Sequence, residues 1–166
     1  ISISEDGVRE EISFAALRAL SNRIANRLAR DGARPGDRVG VLLPQAVETA
    51  ATHIAALKLG AITIPLFTLF GDEALSFRLG DSGARAVVTN TQGAEKIARI
   101  RADLPDLSVL YSIDAPHSGS GASDLHAAIA GESEDFTVAD TSRDDPAILI
   151  YTSGTTGQPK GALHAH

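Results

Sequence analysis

The residue types best suited to chemistry are concentrated near the end of the chain. Thr152-Ser153-Gly154-Thr155-Thr156-Gly157 is built from Thr, Ser and Gly alone, and Lys160 follows after Gln158 and Pro159. Each type has a use at an anion. Glycine lets the backbone turn its N–H groups toward a ligand without a Cβ in the way, hydroxyls add neutral donors, and lysine supplies a mobile positive charge. Together they suit a phosphate cradle. A solvated turn between two strands would use the same Gly and Thr residues, so composition alone leaves that alternative open. A Walker A loop is excluded, because it requires G-x-x-x-x-G-K-[ST] leading into a helix. Here Gln158 and Pro159 separate Gly157 from the lysine, and Gly161 stands where the magnesium-binding hydroxyl would be.

The elements that must hold this loop can be read upstream of it. Ala147-Ile148-Leu149-Ile150-Tyr151 is a continuous apolar run that predicts a buried strand emptying directly into the loop. Phe14, Leu17, Leu20, Ile24 and Leu28 recur at three- and four-residue steps with arginines between them, which predicts an amphipathic helix ending at Asp31-Gly32. Beyond the Pro35-Gly36-Asp37 turn, Arg38–Leu43 predicts a buried strand, 45–59 a helix closed by Gly60, and 61–64 a strand stopped by Pro65. The pattern repeats with a helix over 72–79, a turn at Asp81-Ser82-Gly83, a strand over 86–89, a helix over 94–104 and a strand over 108–111. Ser118–Gly121 reads as a surface loop, and the acidic stretch 132–145 as a linker without regular structure. Alternating strands and helices argue for an α/β fold with a mostly parallel sheet and helices on both faces. No internal repeat of solenoid period is present.

Composition bounds the partners. With 166 residues, 43% hydrophobic and 22% charged, the chain is in the globular range and is not intrinsically disordered as a whole. A formal charge of -6 provides no overall basic field for a nucleic acid or an acidic membrane. The absence of cysteine excludes disulfides, thiolate metal sites and cysteine catalysis. No apolar run reaches the roughly 18 residues of a membrane span, and the first residues lack the basic start and apolar middle of a signal peptide. The expectation is a soluble cytoplasmic protein. With no methionine at all, and an apolar segment at its C-terminus, the sequence reads as a piece of a longer chain.

Tyr151-Thr152-Ser153-Gly154-Thr155-Thr156-Gly157-Gln158-Pro159-Lys160-Gly161 resembles the signature of the adenylate-forming, AMP-binding superfamily, in its acyl-CoA synthetase branch. Two further landmarks stand in the family's usual order: Gly36-Asp37-Arg38-Val39 before the first strand, and Leu57-Lys58-Leu59-Gly60-Ala61 followed by Pro65. His164 and the Pro65-Leu66-Phe67 region look most like the acetyl-CoA and medium-chain acyl-CoA synthetase branches. The resemblance implies that residues 1–166 are the N-terminal part of the large domain. The rest of that domain, with its adenine- and ribose-binding segments, and the small domain with its catalytic lysine would lie beyond residue 166.

The implied reaction has two steps. A carboxylate attacks the α-phosphate of Mg2+-bound ATP to give acyl-AMP and pyrophosphate, and the thiol of coenzyme A then displaces AMP. In that scheme Thr152, Ser153, Thr155 and Thr156, with the backbone at Gly154 and Gly157, hold the β- and γ-phosphates, and Lys160 neutralises the departing pyrophosphate. No catalytic residue and no protein metal ligand is assigned within the chain, which alone is expected to be inert. The acid would be acetate, a medium-chain fatty acid or a related one. Alternatives are an adenylation domain that loads a carrier-protein thiol, and a non-catalytic nucleotide-binding module. Oligomeric state is left open.

Other constellations have plainer readings. Gly80-Asp81-Ser82-Gly83 superficially resembles the nucleophile segment of trypsin-like serine proteases, but Ala84-Arg85 follows and the pattern is α/β, so a helix end before a strand suffices. His164 and His166 would share one face of a strand, without a third ligand to make a metal site. His53, His117 and His126 are isolated. The carboxylates Glu132, Glu134, Asp135, Asp140, Asp144 and Asp145 lack the spacing of a calcium loop and read as a solvated acidic segment.

Overall fold

Strand β3 (Arg38–Leu42) shows how the sheet is buried on both sides. Val39 and Val41 join one apolar cluster, whereas Leu42 joins a second on the opposite face, as the two-residue period of a strand requires. Its neighbours are β4 (Ile62–Pro65) and β5 (Ala86–Thr89), both parallel to it. Around this centre β6 (Val109–Ser112), β7 (Ser123–Asp124), β8 (Pro146–Thr152) and β9 (Lys160–Ala165) complete a seven-stranded sheet of order β7-β6-β5-β3-β4-β8-β9. Every pairing is parallel except β8 with β9. A separate antiparallel ribbon joins β1 (Ser2–Ile3) to β2 (Arg9–Glu10). The structure is a computed structural model that describes residues 2–3, 9–114, 116, 118–152 and 157–166, with side chains from residue 11 onward. Ser153, Gly154, Thr155 and Thr156 of the loop, His117, and most of the first eight residues lie outside the described residues.

Helices α1 (Phe14–Arg30), α2 (Val47–Lys58) and α5 (Leu125–Ile129) cover one face. Helices α3 (Asp72–Ser82) and α4 (Thr91–Arg99) cover the other. Ile24, Ala25 and Leu28 of α1 pack with Ala51, Ala55 and Ala56 of α2 in the first cluster, and Leu75, Leu79 and Ile97 fill the second. A fully buried Leu or Ile contributes about 1.5–3 kcal/mol relative to its exposed state, so Ile24 and Leu28 dominate the docking of α1, and Leu75, Leu79 and Ile97 that of α3 and α4. The α/β expectation holds.

Capping chemistry sets the helix limits. Ser13 Oγ accepts from Ala16 N at 3.1 Å and starts α1. Asn90 Oδ1 accepts from Gly93 N at 2.9 Å, so α4 begins at Thr91 rather than at 94, and it ends at Arg99 before a short 3-10 turn over Arg101–Asp103. The predicted turn at Asp81-Ser82-Gly83 reduces to one residue. Helix α3 runs through Ser82, and Gly83 alone takes the left-handed conformation, with φ of 59°. Arg38 then donates from Nε to Ser82 O at 2.5 Å and from Nη2 to Gly83 O at 2.8 Å, satisfying carbonyls that the helix end leaves unpaired. The Gly36-Asp37-Arg38 landmark thus closes α3.

Strand β8, expected to be buried, is so only at Ala147, and residues 123–145 hold structure that the sequence did not show. Beyond the 118–121 loop the chain forms β7 and α5, the latter capped by Asp124 Oδ1 at 2.8 Å from Ala127 N. The acidic stretch has no regular structure, as expected, but it is not merely solvated. Glu132 is buried and pairs with Arg30 at 3.0 Å, Glu134 pairs with Arg23, and Phe136 packs against the first cluster. Asn22 Nδ2 donates to Glu134 O at 2.6 Å, and Asn26 Nδ2 donates to Ser133 O and Asp135 O at 2.9 Å each. The segment is a strap across α1. No helix among the described residues is long and apolar enough to cross a membrane.

Candidate functional site

Strand β8 delivers the glycine-rich loop to the same end of the sheet as the carboxyl ends of β3, β4, β5 and β6, since it runs parallel to β4 with Thr63 beside Ile148. In open α/β sheets ligands bind outside this end. Leu149 and Tyr151 face α3 and the second cluster. Thr152, one residue on, takes the opposite face by the alternation of a strand.

The loop closes a hairpin. Strands β8 and β9 pair antiparallel, with Tyr151 opposite Gly161 and Thr152 opposite Lys160. Directly opposed residues project to the same face, so the Thr152 hydroxyl and the Lys160 ammonium flank the mouth of the loop together. Both residues are exposed, and Lys160 has no hydrogen-bonding or ion-pair partner among the described residues. Gly157 has φ of 101°, a conformation that L side chains rarely adopt, with no neighbour near its Cα hydrogen. A free ammonium beside a hydroxyl and a glycine turn can neutralise and hydrogen-bond an anion. Of the seven residues expected to form the cradle, Thr152, Gly157 and Lys160 are thus brought together, and the other four lie outside the described residues.

The stem of the loop rests on α3. Tyr151 Oη donates to Asp81 Oδ2 at 2.6 Å, and its ring meets Phe77 edge to face with centroids 6.2 Å apart. Burial and the hydrogen bond to Asp81 push the Tyr151 phenol well above its ordinary range. The Arg78 guanidinium lies 4.1 Å from the Phe70 ring centroid and 5.9 Å from that of Tyr151. An open hollow of about 630 Å3 separates the first turns of α3 from Gln158 and Pro159. The 66–71 segment after β4 is held by Lys96, whose Nζ donates to Thr68 O at 2.8 Å and to Phe70 O at 3.0 Å. Phe67 and Leu69 remain exposed beside it.

Arg78 was not singled out in the sequence, and Asp81 was read there only as part of a turn at a helix end. One available signal was that Arg78 shares the α3 stripe with Leu75, Leu79 and Ser82, placing a charge on the buried face of a helix. His164 lies on β9 and His166 just beyond it, and no cluster of metal-ligating side chains occurs among the described residues.

The sequence model of the AMP-binding enzyme family matches residues 3–166. The chain belongs to that family. Among AMP-binding enzymes it is 35% identical over 156 residues to the long-chain-fatty-acid–CoA ligase FadD13 of Mycobacterium tuberculosis, a match that covers 93% of this chain and 30% of FadD13. The anthranilate CoA ligase AuaEII, solved in complex with anthranoyl-AMP, superposes with a TM-score of 0.89 at 30% identity, covering 94% of this chain and 30% of AuaEII. ATP-bound MatB from Rhodopseudomonas palustris superposes with a TM-score of 0.81 at 33% identity, over 97% of this chain and 30% of MatB. The chain therefore spans about 30% of the length of these relatives. Within the AMP-binding family this portion is the mostly parallel sheet with its flanking helices.

Proposed function

We propose that this chain is the N-terminal part of the large domain of an AMP-forming acyl-CoA synthetase, and that its glycine-rich loop binds the β- and γ-phosphates of ATP. The observation that carries this reading is the cross-strand placement of Thr152 and Lys160 at the mouth of the loop. The ATP-bound and acyl-AMP-bound relatives support it.

In this reading Thr152, Ser153, Thr155 and Thr156 donate hydroxyls to the phosphates, and Gly154 and Gly157 allow the backbone to approach them. Lys160 balances the charge that accumulates as pyrophosphate departs. A bound carboxylate attacks the α-phosphate, the bond to the pyrophosphate oxygen breaks, and acyl-AMP forms. Mg2+ bound to the ATP would shield the same phosphate charge that Lys160 faces. Coenzyme A then takes the acyl group and AMP leaves. The acid is proposed to be acetate, a medium-chain fatty acid or a close analogue, on the strength of His164 and the Pro65-Leu66-Phe67 segment. The relatives carry long-chain-fatty-acid and anthranilate names, so the acid is a matter for direct test.

The test is carboxylate-dependent exchange of labelled pyrophosphate into ATP by the full-length protein, across acetate, medium-chain and aromatic acids. Exchange with one acid class is expected, together with a loss of about a hundredfold or more in Lys160→Ala, the scale seen when one preorganised electrostatic contact is removed. A well-folded protein that exchanges with no acid would remove the synthetase reading.

A further inference from the structure

We propose that Asp81 and Arg78 of α3 are positioning residues for the glycine-rich loop, acting through Tyr151 to fix the point from which the loop departs. The inference rests on the phosphate-binding reading of that loop. Tyr151 is the residue before Thr152, and its cross-strand partner Gly161 is the residue after Lys160. Fixing the Tyr151 ring therefore sets both sides of the loop mouth at once.

Three contacts fix it. The phenol donates to Asp81 Oδ2 at 2.6 Å, Phe77 meets the ring edge to face, and the Arg78 guanidinium lies 5.9 Å from the ring centroid. Gly161 makes room beneath. A Cβ there would stand 3.5 Å from the Tyr151 ring and 2.9 Å from Leu149 Cδ1. Packing alone would be served by phenylalanine at 151. The hydroxyl adds a directional tie to α3, whose end is itself fastened by Arg38 to β3.

Arg78 is a more expensive device than packing requires. It is only 8% exposed, its Nη1 donates to Ala74 O at 2.8 Å, and its Nε is buried without a partner. Among the described residues no carboxylate pairs with it. A buried guanidinium satisfied mainly by aromatic faces is costly unless its place is used. Here it lies over Phe70, beyond β4, and reaches the ring of Tyr151 near the end of β8, joining the two strand ends beside the loop.

The experiment compares Tyr151→Phe and Asp81→Asn with the wild type in the full-length protein, by pyrophosphate exchange and by amide hydrogen exchange across residues 146–165 without ligand. Each variant is expected to raise KM for MgATP about three- to tenfold with kcat retained, the scale of one lost hydrogen bond. The double variant should be no worse than either single one, and amide exchange around the hairpin should quicken. A merely structural role would lower the folded fraction, and with it kcat, while leaving KM unchanged. Should Asp81→Asn fold poorly, Tyr151→Phe, which keeps the ring contacts, decides alone. Wild-type KM and amide exchange in Tyr151→Phe would overturn the proposal. If the wild type exchanges pyrophosphate with no acid, the proposed activity falls, and amide exchange still decides the positioning role.

Discussion

Gly93 stands in the first turn of α4 with no room for a side chain. A Cβ built there would lie 1.8 Å from Thr89 Oγ1 and 3.0 Å from Leu42 Cδ2. Thr89 is fully buried and donates to Leu42 O at 2.9 Å, so it cannot yield without leaving a buried polar group unpaired. Helix α4 gains its close approach to the carboxyl ends of β3 and β5 from the missing side chain. Gly93→Ala is therefore expected to destabilise the fold by about 2–3 kcal/mol, against the helix propensity that alone would favour alanine. Urea unfolding checks this, and an unchanged midpoint would show that Thr89 has another place to go. The reasoning differs from that at Gly157, where the requirement is the positive φ and the surroundings are open.

The strap over residues 132–139 is held to α1 by polar contacts made across a long stretch of sequence. Asn22 is the centre: its Nδ2 donates to Glu134 O, and its Oδ1 accepts from Lys58 Nζ at 2.6 Å. Burial, and then the nearby charge of Arg18, push the Lys58 ammonium below its ordinary range. Asn22→Ala would take an acceptor from that partly buried cation and remove a buried amide, so its expected cost of about 2–3 kcal/mol exceeds the roughly 1 kcal/mol of the half-buried Asn26→Ala. Denaturant titration of the two variants checks the order, and equal midpoints would contradict it. Elements of this kind mark the limit of what the sequence discloses. Helix α1 and strands β3 and β5 were legible because an apolar period or run, with a cap or turn residue, is a local property. Strand β7 spans two residues and α5 five, too short to display any period. The strap shows only acidic composition, while its partners lie on α1. At the site, the loop was legible as one contiguous motif. The contacts of Arg78 and Asp81 with Tyr151 were not, because these residues meet only when α3 is laid against β8.

One tyrosine is buried on one face of the sheet and one is partly buried on the other, which makes the stability of the whole molecule readable at alkaline pH. Tyr111 sits in the first cluster and Tyr151 packs against the second. Burial, and then the hydrogen bond from its hydroxyl to Asp31, push the Tyr111 phenol up to about 12, although Arg27 donates to the same oxygen at 2.6 Å and opposes the shift. Tyr151 is raised in the same direction by burial and by Asp81. A phenol that holds its proton more tightly when folded contributes stability that is complete below its unfolded pKa of 10.0 and is lost as pH rises toward the folded value. Above that point the unfolded chain binds fewer protons than the native one, so the slope of stability with pH is negative. Lys58 acts in the opposite sense. Its lowered pKa makes stability rise with pH until its ordinary 10.5 is passed, which blunts the onset of the decline. With two tyrosines and no tryptophan in the chain, the tyrosinate absorbance band reports these two groups alone. Folded protein should develop that band only well above 10.0 for both groups, with Tyr111 near 12, and Tyr151→Phe should remove about half of its amplitude. Over the same range the urea midpoint should fall. Titration of both tyrosines near 10.0 in folded protein would mean that neither phenol is held as described, and the anchoring of the loop stem on α3 would lose its hydroxyl.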